Sequence, residues 1–196
     1  MGFFDKLREI FRDKTIDNIC AGLQNLGIDA QRAEHGRLIN IREGPIAWIN
    51  VHKETYVGGW AGEYAPAAAP SGPPGEERPS YDYYYTEYGV PDSRLSPIHS
   101  RCRIMSACVR PTTLFDQASD LHWRGEDFGL GIIDRLDSDI SLKQPIMQSC
   151  DVTIRALGDQ GCWIILTETS DVPKGPSQEL WDCYQTIAKH LLSAPL

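Results

Sequence analysis

The chain has 196 residues, of which 41% are hydrophobic and 23% charged, and this ordinary globular composition excludes collagen-like and wholly disordered proteins. Its 19 basic and 27 acidic residues give a formal net charge of −8. This acidic balance argues against nucleic-acid binding, which needs a basic surface to meet phosphates. The length suffices for one sizeable hydrophobic core, so we expect a single α+β domain over residues 1–196.

The N-terminal segment predicts a short amphipathic helix with five apolar residues on one stripe: Phe3, Phe4, Leu7, Ile10 and Phe11. In one interpretation this stripe packs on its own domain or on a second copy of the chain. In the other it lies on a membrane surface, which the near-balanced local charge makes the less favoured partner. Charged residues interrupt the segment, so it is not a secretory signal, and we expect a cytoplasmic protein.

A second helix follows, capped by Asp13 or Thr15 and ended by Gly27, which suits a left-handed C-cap. Three short strands are predicted next, over residues 28–33, 37–42 and 46–51. The last of them has apolar residues on both faces, which is typical of a well-covered strand.

Residues 64–99 have a different composition, rich in proline, glycine and tyrosine, and we expect a long loop or insertion there. Its later part, residues 80–88 (SYDYYYTEY), has five tyrosines that either pack on the sheet or bind a partner. The candidate binding residues are therefore Tyr81, Tyr83, Tyr84, Tyr85 and Tyr88, together with Trp60.

The second half of the chain alternates strands with short helices. Strands are predicted over residues 102–109, 128–133, 151–157 and 162–169, and short helices over 114–121 and from Ser138 or Ser141 through Met147. A hairpin loop joins the last two strands, and Ser177 caps a final helix. The predicted fold class is α+β, with an antiparallel β-sheet packed against N- and C-terminal helices and a long Pro/Gly/Tyr-rich insertion.

Sequence motifs give no catalytic prediction, because G-x-S-x-G, H-E-x-x-H and P-loop patterns are all absent. No histidine has a second ligand at a convincing spacing, so no metal site and no cofactor are predicted. The six cysteines include no C-x-x-C pair. In a reducing compartment we expect buried thiols and no disulfide. Cys162 is the most visible candidate nucleophile, but its apolar strand favours burial.

The element order of two stretches resembles that of one protein family. Residues 15–51 predict a helix and then a meander, and residues 140–192 predict a short helix, a hairpin and a long final helix. This order resembles the type III secretion chaperone-like fold, including its YbjN-like members, whose small domain runs helix, three strands, helix, two strands, helix. The resemblance implies a non-catalytic protein that binds other polypeptides, often as a dimer.

Three functions stay open after this reading of the sequence. The favoured one is a non-catalytic protein-binding, adaptor or chaperone-like protein with a protein or peptide partner, with a homodimer as an open alternative. The second is an enzyme or small-molecule sensor whose pocket draws on scattered residues, here Trp48, Trp60, His99, Trp123 and Glu126. The third is a peripheral membrane protein anchored by the N-terminal helix.

Overall fold

Eight strands and four α-helices make up the part of the chain that the structure describes. The computed structural model describes residues 14–33, 38–57, 80–109, 120–149 and 152–196. The predicted apolar stripe from Phe3 to Phe11, Trp60 and the proline-rich residues 64–79 lie outside these ranges.

The described elements follow one another in an order with strands in the middle and a helix at each end. They are helix α1 (Lys14–Asn25), strands β1 (Ala30–Arg32), β2 (Leu38–Ile41), β3 (Trp48–Val57) and β4 (Ser80–Pro91), the 3₁₀ turn η1 (Pro97–Arg101), strands β5 (Arg103–Val109) and β6 (Asp120–Glu126), helices α2 (Ile132–Ser138) and α3 (Ile140–Ser149), strand β7 (Val152–Leu157), the 3₁₀ turn η2 (Gly158–Gln160), strand β8 (Cys162–Thr169) and helix α4 (Gln178–Leu192).

All described strands belong to one antiparallel sheet with the order β1-β2-β3-β4-β8-β7-β5-β6. The first four strands form a meander, and β4 then pairs with β8 from Tyr84↔Thr169 to Pro91↔Cys162. This pairing joins the two halves of the chain, because β4 and β8 lie side by side although about 80 residues separate them. The predicted α+β class with an antiparallel sheet is confirmed.

The main core lies between the helices and one face of the sheet. Alternate residues of a strand point to the same face of the sheet. On the face that the helices cover, strands across the sheet from β2 to β6 each contribute buried residues: Ile39, Ile49, Tyr88, Val90, Ile165, Ile154, Ile104 and Leu121. Apolar residues of all four helices join the same cluster. The helix pattern that predicted α1 and α4 thus reflects the packing of one apolar stripe against a sheet.

The opposite face of the sheet is covered by none of the described helices, and we call it the helix-free face; it has its own smaller buried patch. Ile164 is fully buried there, yet it does not belong to the helix-side cluster. Its neighbour across the strands is Gly89, and the ring of Trp48 lies directly over that glycine. A Cβ at position 89 would come within 2.0 Å of Trp48 Cε2. The Trp48 ring therefore packs on the backbone of Gly89, which has no side chain to cover it, in the centre of the sheet.

The end of α4 is fastened to the sheet by an ion pair that is buried on one side. The Asp92 side chain, only 3% exposed, accepts hydrogen bonds from the Arg94 guanidinium at 2.8 and 2.9 Å and from Trp163 Nε1 at 3.2 Å. Arg94 in turn donates to the backbone carbonyls of Leu192 and Ala194 at 2.7 and 2.9 Å. One carboxylate thus links the start of a loop, the middle of the sheet and the last turn of the helix. We call this set of contacts around Asp92 and Arg94 the clamp.

Three sequence predictions are corrected by these elements. Residues 80–91, predicted as loop or insertion, form the central strand β4. Residues 128–133, predicted as a strand, form a turn and the start of α2, because Asp127 accepts hydrogen bonds from the backbone of Ile132 and Ile133. Leu121, predicted in a helix, lies in strand β6.

The cysteines differ from prediction in one respect. Cys20, Cys102, Cys162 and Cys183 are free and buried, as expected for core thiols. Cys108, however, is disulfide-bonded. The remaining cysteine, Cys150, lies outside the described residues.

Candidate binding site

The most distinctive surface is a two-stranded extension of the sheet, which we call the tyrosine arm and define as residues 52–57 of β3 and 80–85 of β4. Strand β8 ends opposite Tyr84, so residues 80–83 pair only with β3. Strand β2 reaches β3 only as far as Asn50. The outer part of the arm is therefore flanked by no other strand within the described part of the chain.

On the helix-free face, the side chains of the arm hold one another in place. The hydroxyl of Tyr56 donates to Glu54 Oε2 at 2.6 Å and lies 3.2 Å from the hydroxyl of Tyr85. The Tyr85 ring stacks on His52 at 5.1 Å, and the Tyr56 ring meets Tyr83 edge-on at 5.4 Å. Such cross-strand aromatic pairs stabilise a two-stranded ribbon that would be marginal alone.

The other face of the arm is held by charged and polar contacts. Lys53 Nζ forms an ion pair with Asp82 at 2.7 Å and lies 5.9 Å from the centre of the Tyr84 ring. Thr55 Oγ1 donates to the same carboxylate at 2.7 Å. These contacts lower the pKa of Asp82, with the Lys53 hydrogen bond as the largest cause. The arm thus has an aromatic face and a charged face.

The tyrosines predicted as binding residues fall into three environments. Tyr88 is 4% exposed and packs against Trp181 and Tyr184 of α4, so it is a core residue. Tyr84 lies half-buried on the charged face. Tyr81, Tyr83 and Tyr85 share the helix-free face, and the structure adds Tyr56, which sequence reasoning missed as a site residue. Tyr56 and Tyr81, which pair directly, are 48% and 49% exposed.

The phenol groups of Tyr56 and Tyr85 on this aromatic face stay protonated at neutral pH, because the pKa of each is raised. The hydrogen bond to Glu54 is the largest cause that raises the pKa of Tyr56 far above its ordinary value. Burial raises the pKa of Tyr85, with smaller contributions from nearby Glu168 and Glu54. The arm therefore offers neutral phenol rings and hydroxyls beside carboxylates, which is a recognition surface and not an acid–base pair.

Of the residues named for an enzyme or sensor pocket, the structure describes Trp48, His99, Trp123 and Glu126, and it sets the two tryptophans on opposite faces of the sheet. Trp48 lies on the helix-free face, whereas Trp123 is buried on the helix side. His99 Nδ1 accepts the backbone N–H of Ser96 at 3.0 Å, as part of the capping of η1. Glu126 accepts the backbone N–H of Phe128 at 2.9 Å. Within the described residues, no group of three His, Cys, Asp or Glu side chains could hold a metal ion.

The free thiols are poorly suited to nucleophilic catalysis. Burial raises the pKa of Cys102 and of Cys183 to about 12. Burial is also the largest cause that raises the pKa of Cys162, the candidate nucleophile, and of Cys20. A thiol with a raised pKa is protonated at neutral pH, and the thiolate is the reactive form. An open depression at the end of β8 is lined, among the described residues, by Thr169, Asp171, Val172, Pro173 and Lys174.

Comparison with protein-family models, with curated proteins and with solved structures gives no match in any of the three cases. Among the described residues, none of the helices combines the length and the apolar character that a membrane span requires.

Proposed function

We propose that this chain is a non-catalytic polypeptide-binding protein, and that the aromatic face of the tyrosine arm binds its partner. The observation that carries the proposal is the placement of Tyr56, Tyr81, Tyr83 and Tyr85 on one face of a ribbon that extends past the rest of the sheet. Tyrosine gives a large amphipathic contact area and loses little rotamer entropy on binding. The resemblance in element order to the type III secretion chaperone-like fold also supports a polypeptide-binding function.

The contacts within the arm favour binding because they fix the tyrosine rings before a partner arrives. Tyr56 is held by Glu54 and Tyr83, and Tyr85 by its stack on His52. A surface that is ordered in advance loses less conformational entropy on association. Two of the rings nevertheless remain about half exposed, at 48% and 49%, so apolar area is left for a partner to cover.

The charge around the rings selects the chemistry of the partner. Glu54 lies on the arm, and Glu168 faces Tyr85 across the β4–β8 pairing. Cations bind over tyrosine faces, and arginine does so most often. The whole chain also has a net charge of −8. We therefore expect the arm to prefer an extended segment that contains arginine and apolar residues.

Fluorescence anisotropy with two labelled ten-residue peptides tests the proposal. The peptides share length and aromatic content, and one carries arginines where the other carries glutamates. The arginine peptide should bind, more weakly at high salt, and the glutamate peptide should not. Substitution of Tyr81, Tyr83 and Tyr85 by Ser should weaken the binding at least about tenfold, which corresponds to about 1.4 kcal/mol.

The matched control is Tyr84→Ser, which removes a tyrosine from the charged face of the same ribbon. It should leave the affinity within about twofold, a difference of about 0.4 kcal/mol. Circular dichroism and urea unfolding of each variant separate lost binding from lost folding. Equal binding of both peptides, or an equal loss with Tyr84→Ser and with the triple variant, would contradict the proposed site.

A further inference from the structure

Strands β7, β5 and β6 carry a group of arginines at the end of the helix-free face that lies farthest from the tyrosine arm. Arg103 of β5 and Arg155 of β7 are direct cross-strand neighbours, and Arg124 of β6 lies diagonal to Arg103. Arg155 forms an ion pair with Glu87. Like charges placed directly opposite each other destabilise a sheet. The packing of the fold alone therefore does not account for this group of arginines.

The carboxylates of the outer strand β6 are engaged by groups other than these arginines. Glu126 is the cross-strand neighbour of Arg103, but its side chain accepts the backbone N–H of Phe128 at 2.9 Å. Asp120 is bound by Lys143 at 2.8 Å. The arginines of β5 and β6 are both exposed, and neither forms an ion pair with any other described residue. Two guanidinium groups are thus available to an external anion.

We propose that Arg103 and Arg124 form a second subsite, which takes two acidic side chains of the same partner whose arginine segment binds the tyrosine arm. The proposal rests on the proposed function and adds an acidic part to the partner. A guanidinium binds a carboxylate through two parallel hydrogen bonds. Diagonal neighbours on a sheet lie about 7–8 Å apart. Residues i and i+2 of an extended segment are about 6.8 Å apart on one side, so the spacing favours Asp-x-Asp or Glu-x-Glu.

The surface between the arm and this subsite suits an extended polypeptide. One line of cross-strand neighbours runs from β4 to Arg124 through three uncharged, partly exposed residues: Leu166, Thr153 and Met105. Tyr85 lies two residues before the start of this line, and β6 is the fourth strand from β4. At about 4.8 Å per strand and 3.4 Å per residue, Tyr85 and Arg124 are roughly 20 Å apart. An extended segment of about six residues spans that distance.

Fluorescence anisotropy with longer versions of the arginine peptide tests the second subsite. Each version adds a spacer of about six uncharged residues and an Asp-x-Asp end. Two versions, with the acidic pair after or before the arginine segment, cover both chain directions. At least one should bind about fivefold more tightly than its Asn-x-Asn counterpart, and raised salt should reduce this advantage. Because the arginine segment already holds the peptide on the surface, two weak ion pairs are enough for a measurable gain. The glutamate peptide lacks that segment and should still not bind.

A pair of substitutions assigns the advantage to the two arginines. Arg103→Gln with Arg124→Gln should abolish the advantage of the acidic end and leave the affinity for the ten-residue arginine peptide within about twofold. The matched control, Lys14→Gln with Lys189→Gln, removes two exposed positive charges from helices α1 and α4 and should retain the advantage. Circular dichroism checks the fold of each variant, and the comparison of the two peptide ends on the wild type needs no variant.

Equal affinity for the Asp-x-Asp and Asn-x-Asn ends in both directions overturns the inference, and so does an advantage that survives the loss of Arg103 and Arg124. If the ten-residue arginine peptide still binds through Tyr81, Tyr83 and Tyr85, these results refute only the second subsite. An acidic advantage in peptides whose binding ignores the Ser substitutions of those tyrosines refutes the proposed function alone. A chain that binds none of the peptides refutes both.

Discussion

The buried carboxylate of Asp92 should be one of the most sensitive polar positions for stability. In Asp92→Ala, Trp163 Nε1 loses its acceptor inside a fully buried side chain. An orphaned buried donor costs about 1–3 kcal/mol. The Arg94 side chain is 42% exposed, so water replaces part of its lost contact and about 1 kcal/mol is appropriate there. We expect a total loss of about 3 kcal/mol in the free energy of unfolding.

Urea unfolding followed by tryptophan fluorescence and circular dichroism measures this loss. A 3 kcal/mol change in a chain of this size lowers Tm by roughly 6–12 °C. Asp92→Asn should lose less, because an amide oxygen can still accept from Trp163. Asp159→Ala removes an exposed carboxylate in η2 and should change stability by no more than about 0.5 kcal/mol. If Asp92→Ala costs no more than Asp159→Ala, the clamp does not stabilise the fold.

The same clamp gives a pH dependence with a defined sign. Burial alone would raise the pKa of Asp92, but the hydrogen bonds from Arg94 and Trp163 outweigh it and lower the pKa below 3.8. A carboxyl whose pKa is lower in the folded state stabilises the protein above its unfolded pKa. That contribution is lost as the pH falls through the folded value. The difference in stability between wild type and Asp92→Asn should therefore be constant above about pH 5 and shrink in acid. A difference that is unchanged or larger in acid would refute the sign.

Two further predictions concern the helix-free face and the thiols. Gly89→Ala should cost about 1–3 kcal/mol in urea unfolding, because the new methyl group meets the Trp48 ring. The substitution should be nearly harmless when combined with Trp48→Ala; an equal cost in both backgrounds would show that the ring is not the obstacle. Under denaturing conditions without reductant, mass spectrometry after alkylation should find four labelled thiols out of six cysteines, and six after reduction. Six labelled thiols before reduction would contradict the bond at Cys108.

Elements with strong local signals were predicted well from the sequence. Helix α4 has seven apolar residues at helical spacing and a Ser177 cap whose hydroxyl accepts the backbone N–H of Leu180 at 3.2 Å. Strand β8 is a run of apolar and β-branched residues, and it occupies the predicted residues 162–169. In both cases the information lies within a few neighbouring residues, so tertiary contacts did not need to be known.

Strand β4 was missed because its signal is aromatic and not aliphatic. The proline-rich residues before it suggested a loop, and only Tyr88 and Val90 alternate as core residues. The high strand preference of tyrosine was the signal that could have identified it. The turn before α2 was missed for another reason. Gly129 and Gly131 adopt positive φ angles of 73° and 65°, which a strand does not allow.

The candidate site could be predicted only in part, because its organisation depends on pairing at a distance. The sequence singled out the tyrosines of residues 80–88, but only the register with β3 separates Tyr84 from Tyr83 and Tyr85 and adds Tyr56. The contacts of the clamp could not be predicted from the sequence for the same reason. Arg94 binds carbonyls that lie 98 and 100 residues further along the chain. Contacts of this range leave no periodicity in a single sequence.

The pairing of β4 with β8 also has a consequence for synthesis on the ribosome. Strand β4 cannot gain its second neighbour until residues 162–169 have been made, and Tyr88 cannot be covered by α4 until later still. At 5–20 residues per second, residues 92–169 take about 4–16 s to follow. During that interval the tyrosine-rich strand presents an open edge, which is the kind of surface that recruits other nascent strands. We therefore expect the growing chain to need protection at this edge more than the finished protein does.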